Sequence, residues 1–201
     1  GVAVKSGISL TGTQYYYGYD HQANTAIHAT SDLALDHANF HLGTPGSGYG
    51  TKTDYVGVAV TDGTVTSTSN RFNIYTGSAH NAVVVSATKN TTGHFHDTGG
   101  RFETKQAVTG GNAIYNDGGY VTLDNSTFII RGAGLNGIHN KVATGNIEGK
   151  LYTTGGSYQL EADGSNLIEN ESYASVEGGT FTVEATGSNA IRSKKELDVI
   201  R

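Results

Sequence analysis

The chain has 201 residues, with 13 Lys and Arg against 18 Asp and Glu for a net charge of −5. That balance excludes a general nucleic-acid or anionic-membrane binder, which needs a basic face. The counts of 29 Gly, one Pro and no Cys exclude collagen, a disulfide framework, a thiolate metal site and a Cys nucleophile.

No stretch approaches the ~18 apolar residues of a membrane span, so no membrane insertion by this segment is expected. Residue 1 is Gly, which reads as a processed product or an excised piece. Taken in chain order, one apolar column runs Val2, Ile27, Val58, Val83, Ile114, Ile138, Ile168 and Ile191, at steps of 25, 31, 25, 31, 24, 30 and 23 residues. Asn stands two places earlier at Asn81, Asn112, Asn136, Asn166 and Asn189. After each apolar position comes an alternating pair: Ile8/Leu10, Leu33/Leu35, Val65/Ser67, Phe95/Asp97, Val121/Leu123, Leu151/Thr153 and Ala174/Val176, with Leu197/Val199 starting it again. An aromatic column follows at Tyr15, Phe40, Phe72, Phe102, Phe128, Tyr158 and Phe181, three times in the setting Gly-Gly-X-aromatic. Period-two alternation bounded by Gly, Asn and Asp is the mark of short strands.

Three strands per repeat, each carrying inward apolar residues, close on themselves only if each strand pairs in parallel with its counterpart one repeat later. The expected fold is therefore all-β, a right-handed parallel β-helix of about seven coils of 23–31 residues. Residues 1–201 read as a single β-helix domain and as a fragment of a longer solenoid, since Val2 and Leu197/Val199 belong to unfinished coils. Such open ends predict continuation in both directions and end-to-end association. The uneven steps come from three insertions, at Gly43–Lys52, Ser86–Gly93 and Asn140–Gly149. The last two share one corner and carry Lys89 and Lys141, which are expected to protrude side by side.

The Asn column reads as a structural ladder of side-chain amides at a turn, and the aromatic column as stacked core rings. His94-Phe95-His96-Asp97 has the alternation of a metal-ligand pair. No carboxylate flanks it directly unless Asp97 curls outward, so no metal or other cofactor is assigned. With Phe95 inward, His94 and His96 point to solvent, where Tyr120 and Tyr152 continue an exposed stripe. Asp36, Asp124 and Glu177 share one level, but intervening coils place Thr there, separating Asp36 and Asp124 by about 14 Å. A glycosidase pair needs roughly 5 to 10 Å. No catalytic residue is assigned and an enzyme is not expected.

With Asn-Ala-Ile anchors, Gly-Gly-X-Phe strands and Thr/Ser/Gly-rich turns across nearly the whole chain, the sequence resembles the β-helical passenger domains of bacterial autotransporters, in the pertactin-like and AIDA-like adhesin group. The resemblance implies a bacterial cell-surface or secreted protein, anchored by a C-terminal outer-membrane barrel in its full-length form. It implies adhesion or cell aggregation, with partners among host-cell or matrix proteins, glycans, or a second passenger. The candidate binding residues are His94, His96, Tyr120, Tyr152, Lys89 and Lys141. The alternatives are a glycan-binding or glycan-cleaving β-helix, such as a polysaccharide lyase, hydrolase or tailspike, and a passive structural spacer.

Overall fold

A computed structural model describes residues 25–42, 56–75, 81–105 and 108–200 in full, and the backbone alone of strands Val2–Val4, Ile8–Thr11 and Gln14–Tyr17 and of residues 77–80. The expected side chains of the first coil and the Gly43–Lys52 insertion lie outside the described residues.

Every described strand belongs to one of three sheets of eight, eight and seven strands, and each strand pairs with its counterpart one coil earlier and later. The molecule is a parallel β-helix. In the first sheet the in-register column is Val2, Ile27, Val58, Val83, Ile114, Ile138, Ile168, Ile191. The second sheet aligns Leu33, Val65, Phe95, Val121, Leu151, Ala174 and Leu197. The third aligns Phe40, Phe72, Phe102, Phe128, Tyr158 and Phe181.

Alternation decides which side chains are inside. Successive residues of a strand face opposite ways, so one apolar position in two suffices to line the interior. Phe40, Phe72, Phe102 and Phe128 are buried and their rings stack with centroids 4.6, 4.8 and 4.6 Å apart, nearly parallel. Tyr158 and Phe181 continue the pile at 5.3 and 4.5 Å. Ring spacing follows the distance between parallel strands, which places identical side chains directly over one another. At the last coil the cover ends, and Val183, Val199 and Ile200 are exposed.

The corner between the second and third sheets repeats a single left-handed residue. His37, Ser69, Gly99, Asn125, Gly155 and Gly178 have φ of 53, 51, 67, 53, 66 and 66°. Each donates its N–H to a carbonyl of the next coil, at Thr68, Thr98, Asp124, Thr154, Glu177 and Ile200 respectively. Gly takes this conformation without the Cβ penalty that His37 and Ser69 bear, which accounts for its appearance in the later coils.

The two insertions between the first and second sheets are small hairpins closed by antiparallel bridges, Ala87 with Thr92 and Ala143 with Ile147. They lie two coils apart at one corner, linked through the intermediate turn: Ala87 N–H bonds Asp117 O and Gly118 N–H bonds Lys141 O. The second hairpin is shorter than expected. Asn140 and Lys141 belong to strand Asn136–Lys141, held in register against Asn116 and Asp117.

Candidate functional site

The outward face of the second sheet carries the side-chain row that alternation predicts. His94, Tyr120, Lys150 and Tyr173 are in-register partners on four successive coils, with His96, Thr122, Tyr152 and Ser175 beside them. The His94 and Tyr120 rings stack at 4.6 Å and 10°. On the other face of Tyr120, Lys150 Nζ lies 5.2 Å from the ring centroid, a cation–π placement. Contact with Tyr120 raises the Lys150 pKa above its ordinary value, and the ammonium stays charged. Tyr152 is exposed and packs obliquely on Tyr173 at 5.7 Å. Tyr173 donates its hydroxyl to Asp198 at 3.0 Å. The result is a ridge of three rings, an ammonium and an imidazole along the solenoid axis.

His96 departs from that ridge. Its Nε2 lies 2.8 Å from Asp124 Oδ2 on the next coil, so its imidazole already has a partner. Asp97 does not curl outward to complete a metal set. It is fully buried, accepting from Ser67 Oγ at 2.5 Å, Ser126 Oγ at 2.6 Å and Gly100 N–H at 3.0 Å. Burial pushes its carboxyl above the ordinary range, and the bonds from Ser126, Ser67 and Gly100 pull it part of the way back. Asp97 stands where its neighbours on the column are Ser67 and Leu123, an interior position by register. Period-two alternation placed it there, and its charge argued for the opposite face.

Lys89 stands exposed at the tip of the first hairpin, whose turn is tied by Thr88 Oγ1 and Thr91 Oγ1 at 2.8 Å. Lys141 lies in a strand rather than at a tip. Its Nζ sits 5.6 Å from the centroid of Tyr115 and 3.9 Å from Asp117 Oδ1, and it is half-buried. The two lysines therefore occupy different surroundings.

The Asn column forms the expected ladder. Asn112, Asn136, Asn166 and Asn189 each donate Nδ2 to the Oδ1 of the Asn one coil before, at 2.9, 3.1, 3.0 and 2.8 Å, beginning on Asn81. A second ladder, inside the wall, escaped sequence reading. Asn116 Nδ2 donates to Asn140 Oδ1 at 2.8 Å, Asn140 Nδ2 to Asn170 Oδ1 at 2.7 Å, and Asn170 Nδ2 to Ser193 Oγ at 3.0 Å. Its signal was present as an Asn four residues after Asn112, Asn136 and Asn166.

No family model, curated protein or solved structure matches this chain. The chemistry of the surface must therefore be argued from its own side chains.

Among the described residues, one trio brings metal-capable atoms together: His139, Glu169 and Glu171, with ligand atoms within 4.8 Å of one another. The carboxylates already have cationic partners. Lys194 bridges both of them and Arg192 Nη1 reaches Glu169 at 3.3 Å. Burial lowers the His139 pKa, against the pull of those same carboxylates. Asp36, Asp124 and Glu177 stand at one level, with Thr68 and Thr98 between the first two and Thr154 between the last two.

The third sheet carries a charged network. Glu103 Oε2 accepts from Arg101 Nη2 at 3.0 Å, and Glu103 Oε1 accepts from Lys105 and, at 2.8 Å, from Arg131 Nη1. Burial would raise the Glu103 pKa, but the bonds and charges of Lys105 and Arg101 overcome it and hold the carboxyl at about 2. Arg131 bonds Glu161 as well, through Nε at 2.9 Å.

Proposed function

We propose that this chain is a segment of a surface-displayed or secreted bacterial adhesin rod, acting in adhesion or cell aggregation through contacts along its side. The observation that carries the reading is the half-buried, outward-facing His94–Tyr120–Lys150–Tyr173 row with exposed Tyr152 beside it, an amphipathic ridge crossing four coils of one sheet. Tyr and His side chains present apolar surface and hydrogen-bonding groups with few rotatable bonds, so little conformational entropy is lost when a partner covers them. A rod repeating such contacts gains strength by avidity rather than from one deep pocket. The partner is a host-cell or matrix protein, a glycan, or the same passenger on a neighbouring cell.

The test replaces His94, Tyr120 and Tyr152 together by Ala and measures binding of the purified domain to cultured epithelial cells, immobilised matrix proteins and itself. Each of these side chains faces outward, so the melting curve should stay within a few degrees of the parent. Adhesion should fall about five- to thirtyfold, from the loss of about 1–2 kcal/mol of contact. Adhesion equal to the parent's would remove the ridge as the binding surface. Reducing ends released from a polysaccharide panel would replace the reading with a glycan-cleaving one.

A further inference from the structure

A groove of about 540 Å³ runs along the corner between the second and third sheets, lined by Asn39, Ser69, Arg71, Gly99, Arg101 and Thr127 among others. It lies outside the ridge just described. Asn39, Arg71, Arg101 and Thr127 are in-register partners on four successive coils, so the two guanidinium groups spring from strands about 4.8 Å apart. Like charges placed opposite each other in a ladder destabilise it. Arg101 is relieved within its own strand by Glu103, through Nε at 3.3 Å and Nη2 at 3.0 Å. Arg71 is exposed and has no carboxylate partner among the described residues.

Two acids next to lining residues are already paired, one of them with Arg101 itself. Asp36 holds His37 Nδ1 at 2.6 Å, and Glu103 is shared among Arg101, Lys105 and Arg131. Three of the five arginines of a chain with net charge −5 thus gather on one sheet. The turn N–H groups of Ser69 and Gly99 are bonded to the next coil, which leaves side chains as the donors. The remaining side chains of the lining are hydroxyls, amides, the His37 imidazole and the Ala38 methyl, with no large apolar side chain to receive one from a peptide.

We infer that this groove is a binding site for an acidic polysaccharide, whose carboxylate or sulfate groups are taken by Arg71, beside the Glu103-paired Arg101, while Ser69, Asn39 and Thr127 meet its hydroxyls. The arrangement suits a chain lying along the solenoid axis, because the cations and hydroxyls repeat at the coil spacing. Guanidinium pairs well with either anion, since its fork of N–H donors matches two oxygens at once. The site goes beyond the adhesive ridge and does not depend on it.

The experiment measures binding of the purified domain to polygalacturonate, dextran sulfate, neutral dextran and poly-glutamate at low and moderate salt. Binding to polygalacturonate, to dextran sulfate or to both is expected, weakening with salt, and none to dextran. Which of the first two binds identifies the anion. Arg71→Ala should weaken binding about tenfold, the loss of one charge-assisted contact. Arg71 has no ion-pair partner among the described residues, so its replacement should leave the melting curve in place. Arg192→Ala removes the same charge from the first sheet and should change affinity less than twofold. Binding to neither anionic polysaccharide, equal loss in the two variants, or poly-glutamate binding as tightly as the polysaccharides would each overturn the proposal.

Discussion

Asp97 is the side chain with the most at stake individually. A carboxylate in a β-helix interior is tolerated only where donors surround it, and Ser67, Ser126 and the Gly100 N–H do so from three successive turns. Asn70 backs the cluster, donating Nδ2 to Ser67 Oγ at 2.7 Å and to Leu35 O at 2.9 Å. Gly100 is obligatory there because a Cβ would collide with the carboxylate. Asp97→Ala strands two hydroxyls and an N–H, so we expect a loss of about 2–4 kcal/mol in urea unfolding. The pH dependence has a definite sign. Burial holds the folded carboxyl above its ordinary value, so the native state keeps a proton that the unfolded chain releases, and this group stabilises most below the unfolded pKa. Its contribution falls as pH rises through the folded pKa. The gap between parent and Asp97→Ala should therefore be wider at about pH 4 than at about pH 7. An unchanged or narrower gap at the lower pH would mean that the carboxyl titrates normally.

At the scale of the element, the two Asn ladders separate what a sequence displays from what it conceals. The outer ladder was legible because Asn81, Asn112, Asn136, Asn166 and Asn189 occupy a fixed place before an apolar anchor. The aromatic and aliphatic columns were legible for the same reason, since strict alternation leaves one choice of face. The inner ladder was not, because Asn116, Asn140 and Asn170 fall at strand ends beside turns, where a polar residue suggests solvent. There the amides replace apolar packing by satisfying one another and the turn carbonyls. The candidate surface was partly legible: the His94–Tyr120 row follows from alternation, while the His96–Asp124 and Lys141–Tyr115 contacts run diagonally between coils. One coil offers a direct comparison. Asn140 is fully buried, donating Nδ2 to Tyr173 O at 2.7 Å as well as to Asn170, whereas Asn136 is half-buried. Asn140→Ala should cost about 2–4 kcal/mol and Asn136→Ala about 1 kcal/mol in the same denaturant titration. Equal costs would show that burial does not distinguish the ladders.

The whole molecule is a stack in which every strand bonds only to the coils before and after it. Its stability is therefore close to a sum of nearest-neighbour interfaces, and the surface features acquire a common axis. The aromatic ridge on the second sheet and the arginine groove at the next corner both run lengthwise. A partner lying along one would not block the other. The hairpins of Ala87–Thr92 and Ala143–Ile147 occupy a third line, at the corner between the first and second sheets.

The left-handed turn column has a mechanical consequence. Each of its residues ties its coil to the next by one N–H bond, and the strand ladders do the same, so no bond of this kind spans three coils. Tension applied to the two ends of the chain loads the ladders at the outermost coil first and opens them in sequence, as a zipper opens. A coil of 23 to 31 residues releases on the order of 70–110 Å of slack when it detaches. Pulled between a surface and a probe, the molecule should lengthen in a train of similar small steps, and each step should dissipate energy. A single abrupt extension of the whole chain would mean that the coils yield as one body.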